Sequence, residues 1–122
     1  MKTAIVGTRT ADDYEALKSI LENLIPKPTE IISGGASGAD KLAERYAKEN
    51  SLLITILKPD WQTHGKSAGP IRNLEIVATC ERLVALWNGE SRGTKHSIET
   101  ARNQGKQVIV HQYAETQQMS LW

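Results

Sequence analysis

A chain of 122 residues with 15 Lys and Arg against 14 Asp and Glu, formal charge +1, has the length of one domain around one core. It has no global field that would gather nucleic acid or coat an anionic membrane, so any anion site must be local. One cysteine, Cys80, excludes an internal disulfide framework and every multi-cysteine metal cluster, so no metal site is expected and a reducing compartment suits the chain. The apolar run after Met1 ends at Gly7, too short for a signal peptide, and no stretch reaches about 18 apolar residues; the expectation is a cytoplasmic protein with no membrane partner.

Short β-rich runs alternate with stretches of helical period, the pattern of a parallel α/β sheet. Thr3 to Val6 is the first predicted strand, ending at Gly7-Thr8-Arg9. Thr10 to Asp13 has the form of a capping box, followed by Tyr14, Leu17, Leu21 and Leu24 on one helical face, with Pro26 and Pro28 as the stop. Glu30 to Ser33 is a second strand. The next helix carries Ala39, Leu42, Ala43, Tyr46 and Ala47, the clearest amphipathic stripe in the chain. Leu52 to Leu57 is a third strand, and Trp61 to Pro70 reads as a polar loop. A third helix opens near Pro70 with Ile71, Leu74 and Val77 or Ala78 toward the core. Leu83 to Trp87, a helix over Thr94 to Gln104, and a fifth strand over Gln107 to Val110 complete the pattern.

Short loops and right-handed crossovers make this an α/β, Rossmann-like three-layer fold: a five-stranded, mainly parallel sheet in the order 3-2-1-4-5 flanked by four helices. Residues 1–122 form a single domain on this reading, with 114–122 as a C-terminal tail whose Leu121-Trp122 pair packs on its own body or on a neighbour. Ligands of such sheets bind beyond the carboxyl ends of the strands, where the loops after strands 1, 2 and 4 meet.

The loop from Ser33 to Asp40, SGGASGAD, is the strongest single feature. Gly34, Gly35 and Gly38 permit close backbone approach, and the following helix start offers N–H groups to a phosphate. The spacing is neither G-x-G-x-x-G nor a Walker loop. Ser37 and Asp40 equally fit a capping box, which needs no ligand. Gly7, Thr8 and Arg9 put a guanidinium beside the same rim, where it could grip a phosphate bidentately or simply flank a helix cap. Further along, His64 and Lys66 lie in the polar loop, and Trp61 could stack on a base or pack over the sheet edge. Arg72-Asn73 falls in the first turn of a helix, where a cation opposes the dipole and needs another reason to be there. Ser91, Gly93 and Thr94 form another anion-friendly turn, with Thr94 as the expected N-cap. Cys80 reads as a buried inert thiol and His111 as structural.

Taken in order, GTR, SGGASGAD, KPDW, GKSAGPIRN and ALWNGESRGTKHSI resemble the YspA-like branch of the SLOG superfamily, which also groups the LOG phosphoribohydrolases and the DprA proteins. The resemblance runs from about Lys2 to Val110. It implies a pocket for a nucleotide-derived ligand, with Gly34, Gly35, Gly38 and Asp40 on phosphate or ribose and Arg72, Asn73, Gly93 and Thr94 completing it. Related proteins often dimerise, which points to a homodimer. The LOG hydrolases carry a Gly-Thr-x-x-Glu turn whose carboxylate acts at the N-glycosidic bond; here that position is Ser97. Glu99, two residues on, is rotated by about 200° on a helix and cannot take over.

The principal expectation is therefore a binding or sensor protein for a phosphorylated nucleotide-type ligand such as NAD, ADP-ribose or AMP, requiring no cofactor. The alternative is an N-glycosidic hydrolase or transferase acting through Asp40 or Glu75. DprA-like DNA binding ranks below both, since counterion release demands a basic track and the charge is near neutral; nucleic acid is not the expected partner.

Overall fold

The computed structural model describes residues 1–114, so the Leu121-Trp122 pair and the rest of the tail beyond Ala114 lie outside the described residues. Five strands, β1 (Lys2–Gly7), β2 (Glu30–Ser33), β3 (Leu53–Ile56), β4 (Arg82–Trp87) and β5 (Gln107–Gln112), form one sheet in the order β3-β2-β1-β4-β5. Every pairing is parallel, as crossover helices require. The helices are α1 (Tyr14–Glu22), α2 (Ala39–Glu49), α3 (Trp61–His64), α4 (Ala68–Thr79) and α5 (Arg92–Asn103).

Strands buried on both faces read as continuous apolar runs because alternate side chains feed opposite cores. Ile5, Ile31, Val84 and Leu86 meet Tyr14, Leu17 and Leu21 of α1 and Ala39, Ala43 and Tyr46 of α2. Ala4, Val6, Ile32, Leu83 and Ala85 meet Ile76 and Val77 of α4 and Ile98 and Ala101 of α5. With no Phe in the chain, small and branched side chains fill both layers. β3 sits at the sheet's edge, where neither layer covers it fully: Leu53 is 72% exposed.

Several expected boundaries shift. Asp13, not Thr10, is the N-cap of α1, accepting from the Ala16 N–H at 3.0 Å, and the helix ends at Glu22, before either proline. The polar loop after β3 contains the short helix α3 and a 3-10 turn, Gly65–Ser67. In α4 the buried side chains are Ala68, Ile76 and Val77, while Leu74 faces solvent. Helix α5 starts two residues before Thr94, capped by Ser91.

Two cations at other ends of the elements had no sequence signal. Arg82 is fully buried; its Nε and Nη2 donate to Thr3 Oγ1 and its Nη1 donates to the Pro26 carbonyl. Burial pushes its guanidinium below the ordinary arginine value. Lys106 Nζ donates to the carbonyls of Val77, Ala78 and Cys80, closing the C-terminal end of α4. Cys80 itself is buried, and burial raises its thiol above the ordinary value. Among the described residues no helix is long and apolar enough to cross a membrane.

Candidate functional site

The loops after β1, β2 and β4 meet at the carboxyl edge of the sheet because Thr8 ties them together. Its N–H donates to the Leu86 carbonyl at 3.0 Å, its hydroxyl accepts from the Asn88 N–H at 3.1 Å, and its carbonyl accepts from Ala11 and Ala39. Helix α2 thus starts directly against the β1 loop. Gly38 caps α2 at φ 66° with no side-chain cap, and a Cβ there would collide with the Thr8 and Arg9 carbonyls. The close approach that Gly38 permits on its Cβ side is to the backbone of the loop after β1. Gly35 likewise lies against Ile56 of β3, and Ser33 is fully buried at the end of β2.

Helix α4 opens at Ala68 rather than near Pro70, so Arg72 lies one turn into the helix and not in its first turn as expected, and its guanidinium is held by the neighbouring loops. Its Nη1 donates to the Gly34 carbonyl at 2.9 Å and to the Leu57 carbonyl at 3.5 Å, and its Nε donates to Asn73 Oδ1 at 3.1 Å. Asn73 Nδ2 then donates to the Gly93 carbonyl at 3.4 Å. A Cβ on Gly34 would strike the guanidinium, so this glycine makes room for Arg72. The Asp40 carboxylate accepts from the Ala36 N–H at 2.9 Å, folding the loop onto its helix.

Across the cleft, Asn88 Oδ1 accepts from the N–H groups of Glu90 and Ser91, and Trp87 Nε1 donates to the Ser91 carbonyl. The Ser91 hydroxyl accepts from the Thr94 N–H and lies 3.0 Å from the Thr94 hydroxyl. This cap brings His96 and Ser97 one turn above Arg92 and Gly93 on the same helix face.

Between these loops lies a cleft of ≈ 520 Å³. Of the expected binding residues, Gly7, Arg9, Gly34, Ser37, Asp40, Trp61, Arg72, Asn73, Ser91, Gly93 and Thr94 line it. Thr8, Ser33, Gly35, Gly38 and Lys66 do not: the first four are spent on packing between loops, and Lys66 stands in solvent on the 3-10 turn. Glu75 is exposed on α4 outside the cleft, as is Glu99 on α5, so of the two candidate catalytic carboxylates only Asp40 reaches the site. Trp61, 57% exposed, stands at the rim over Gly69. Its helix is capped by Asp60, whose carboxyl is held below the usual range by hydrogen bonding from Thr63.

Sequence reasoning gathers Arg92 with Arg9, Lys66, Arg72 and Lys95 on the loops at this edge, but misses Val6, Ala36, Gly69, Pro70, Ile76, His96 and Ser97 as lining residues. Val6 and Ile76 are core residues whose outer edges form the floor. Arg92, His96 and Ser97 follow from the true cap at Ser91, which the pairing of Ser91 with Thr94 three residues on could have indicated. His96 Nδ1 is the one buried side-chain nitrogen or oxygen among the described residues without a hydrogen-bond partner. Three arginines face one carboxylate in the cleft wall. Arg9 and Arg92 are exposed and donate to no protein group among the described residues.

Residues 1–64, more than half of the chain, match the model of the YspA, cpYpsA-related SLOG family. The chain belongs to this SLOG family. It is 34% identical over 118 residues to the gene 61 protein of Mycobacterium phage D29, covering 88% of this chain and 94% of that one. Its fold is similar to that of DNA processing protein A from Helicobacter pylori, with a TM-score of 0.66 and 23% identity, over 90% of this chain and 64% of the neighbour. The SLOG chain thus spans less than two thirds of that neighbour's length. The neighbour has a single-stranded DNA binding mode, which corrects the expectation that set nucleic acid aside as a ligand class for this fold.

Proposed function

We propose that this SLOG protein binds a phosphorylated nucleotide-type ligand, such as NAD, ADP-ribose or AMP, in the cleft at the carboxyl edge of the sheet. The observation that carries the reading is the cleft wall: Arg9 and Arg92, with no protein partner among the described residues, stand in a cavity of ≈ 520 Å³ rimmed by an exposed Trp61. That volume lies within the range of small-molecule sites. Guanidinium groups match phosphate oxygens bidentately, and an indole face accepts a base. The orphaned His96 Nδ1 adds a polar atom that a ligand or a bound water would satisfy. Among the lining residues the single carboxylate is Asp40, already engaged by Ala36, which favours binding over glycosidic cleavage.

A thermal-shift panel of AMP, NAD and ADP-ribose, followed by chromatography of the incubated nucleotide, tests this. A ligand at about 100 times its Kd adds about 2.7 kcal/mol of stability, roughly 10 °C for a chain of this size. Stabilisation with the nucleotide recovered intact is expected; released base or ribose phosphate would make the protein an enzyme. Single-stranded DNA is the second reading, favoured by the same Trp61 and arginines together with the ligand of the Helicobacter neighbour. A short oligonucleotide that shifts the melt while no mononucleotide or dinucleotide does would establish it instead.

A further inference from the structure

We propose that Arg72 and Asn73 are positioning residues: a hydrogen-bonded latch that holds the β2–α2 loop and the first turn of α5 at a fixed separation across the cleft. For its ligand arm the proposal rests on the nucleotide reading above; the latch itself does not. The chain of bonds runs from the Gly34 carbonyl to Arg72 Nη1, from Arg72 Nε to Asn73 Oδ1, and from Asn73 Nδ2 to the Gly93 carbonyl. A branch from Arg72 Nη1 to the Leu57 carbonyl includes the end of β3. The β2–α2 loop, the end of β3 and the first turn of α5 are thus joined through two consecutive side chains on one helix turn.

Three observations set Arg72 apart from a cation waiting for phosphate. It is half-buried, whereas Arg9 and Arg92 are exposed. Its donors already meet three acceptors, whereas those two meet none among the described residues. Gly34 is shaped around its guanidinium, since a Cβ there would displace it. Guanidinium suits this role because its planar fork holds several acceptors in fixed directions, which an ammonium cannot do. Asn73 suits its role because one amide supplies an acceptor to Arg72 and a donor to Gly93. The latch fixes the width that a ligand touching both sides of the cleft must match.

Amide hydrogen exchange read by mass spectrometry on residues 34–40 and 91–97 tests the latch without any ligand. Asn73→Ala should speed exchange in both segments, although among the described residues the Asn73 side chain hydrogen-bonds only to Gly93 and Arg72. Asn73→Asp keeps the acceptor for Arg72 and loses the donor to Gly93, so it should free residues 91–97 alone. Equal exchange in wild type and both variants, or a change confined to 91–97 in Asn73→Ala, would overturn the latch.

The ligand arm compares ADP-ribose, long enough to touch both sides of the cleft, with inorganic phosphate. Asn73→Ala and Arg72→Lys should weaken ADP-ribose about tenfold, the worth of one lost hydrogen bond, and change phosphate affinity less than twofold. Equal losses for both probes would make Arg72 a direct phosphate ligand and refute its positioning role. If wild type binds neither probe, the nucleotide reading fails while the exchange data still decide the latch.

Discussion

Lys106 and Thr8 show how much a single polar side chain carries when backbone groups converge on it. Lys106 Nζ serves the carbonyls of Val77, Ala78 and Cys80, the last-turn acceptors that α4 cannot satisfy within itself. Lys106→Met keeps the aliphatic stem and removes the donors, so urea unfolding should show a loss of about 1–2 kcal/mol; an unchanged midpoint would mean water replaces the ammonium without cost. Thr8→Val keeps the shape of a residue 92% buried and removes the acceptor for the Asn88 N–H. It should cost about 1–3 kcal/mol because a backbone donor is left behind. Neither role was legible in the sequence, where Thr8 read as a ligand contact and Lys106 carried no signal. Both depend on which carbonyls the fold brings near, a long-range property that local spacing does not encode.

At the scale of elements, α1 and α2 are coupled through Tyr14. Its hydroxyl donates to Glu49 Oε1 at 2.7 Å, and Arg45, paired with Glu49, stacks over the ring at 3.8 Å. Burial, then the Glu49 carboxylate, push the Tyr14 phenol up from 10.0 to about 12. The folded state therefore holds this proton more tightly than the unfolded chain does. The contribution to stability is complete below about pH 10 and is lost as pH rises toward 12. Urea unfolding from pH 8 to 11.5 should show that decline in wild type and a flatter profile in Tyr14→Phe; parallel profiles would assign the slope to other groups. β3 gives the contrasting case. The expected strand order already puts it at the sheet's edge, where Leu53 is 72% exposed, while Leu83 on the interior strand β4 is fully buried. Leu53→Ala should cost under about 0.5 kcal/mol and Leu83→Ala about 2–5 kcal/mol. Composition identifies the strand in both cases; only strand order tells edge from centre.

For the whole molecule, the alternation of apolar runs and helical stripes was enough to specify the sheet order, because parallel pairing and handed crossovers leave few arrangements open. The meeting of three loops at one edge was legible for the same reason. The division of labour inside that edge was not. Gly34, Gly38 and Arg72 carry the same residue types whether they hold a phosphate or hold each other, and only the hydrogen-bond partners separate the two. The total charge of +1 left room only for a local anion site, and three arginines against one carboxylate do line a single cleft.

Calorimetric titration of ADP-ribose into the wild-type chain and into Arg92→Ala tests the nucleotide site most directly. Arg92 is exposed in the cleft wall and unpartnered among the described residues, so its removal should leave folding intact and weaken binding about 10- to 100-fold, the worth of a hydrogen bond to a charged group. Saturable binding in wild type with that loss in the variant is the expected result. Equal affinity in the two proteins, or no binding of ADP-ribose, NAD or AMP to wild type, would contradict a phosphorylated ligand in this cleft.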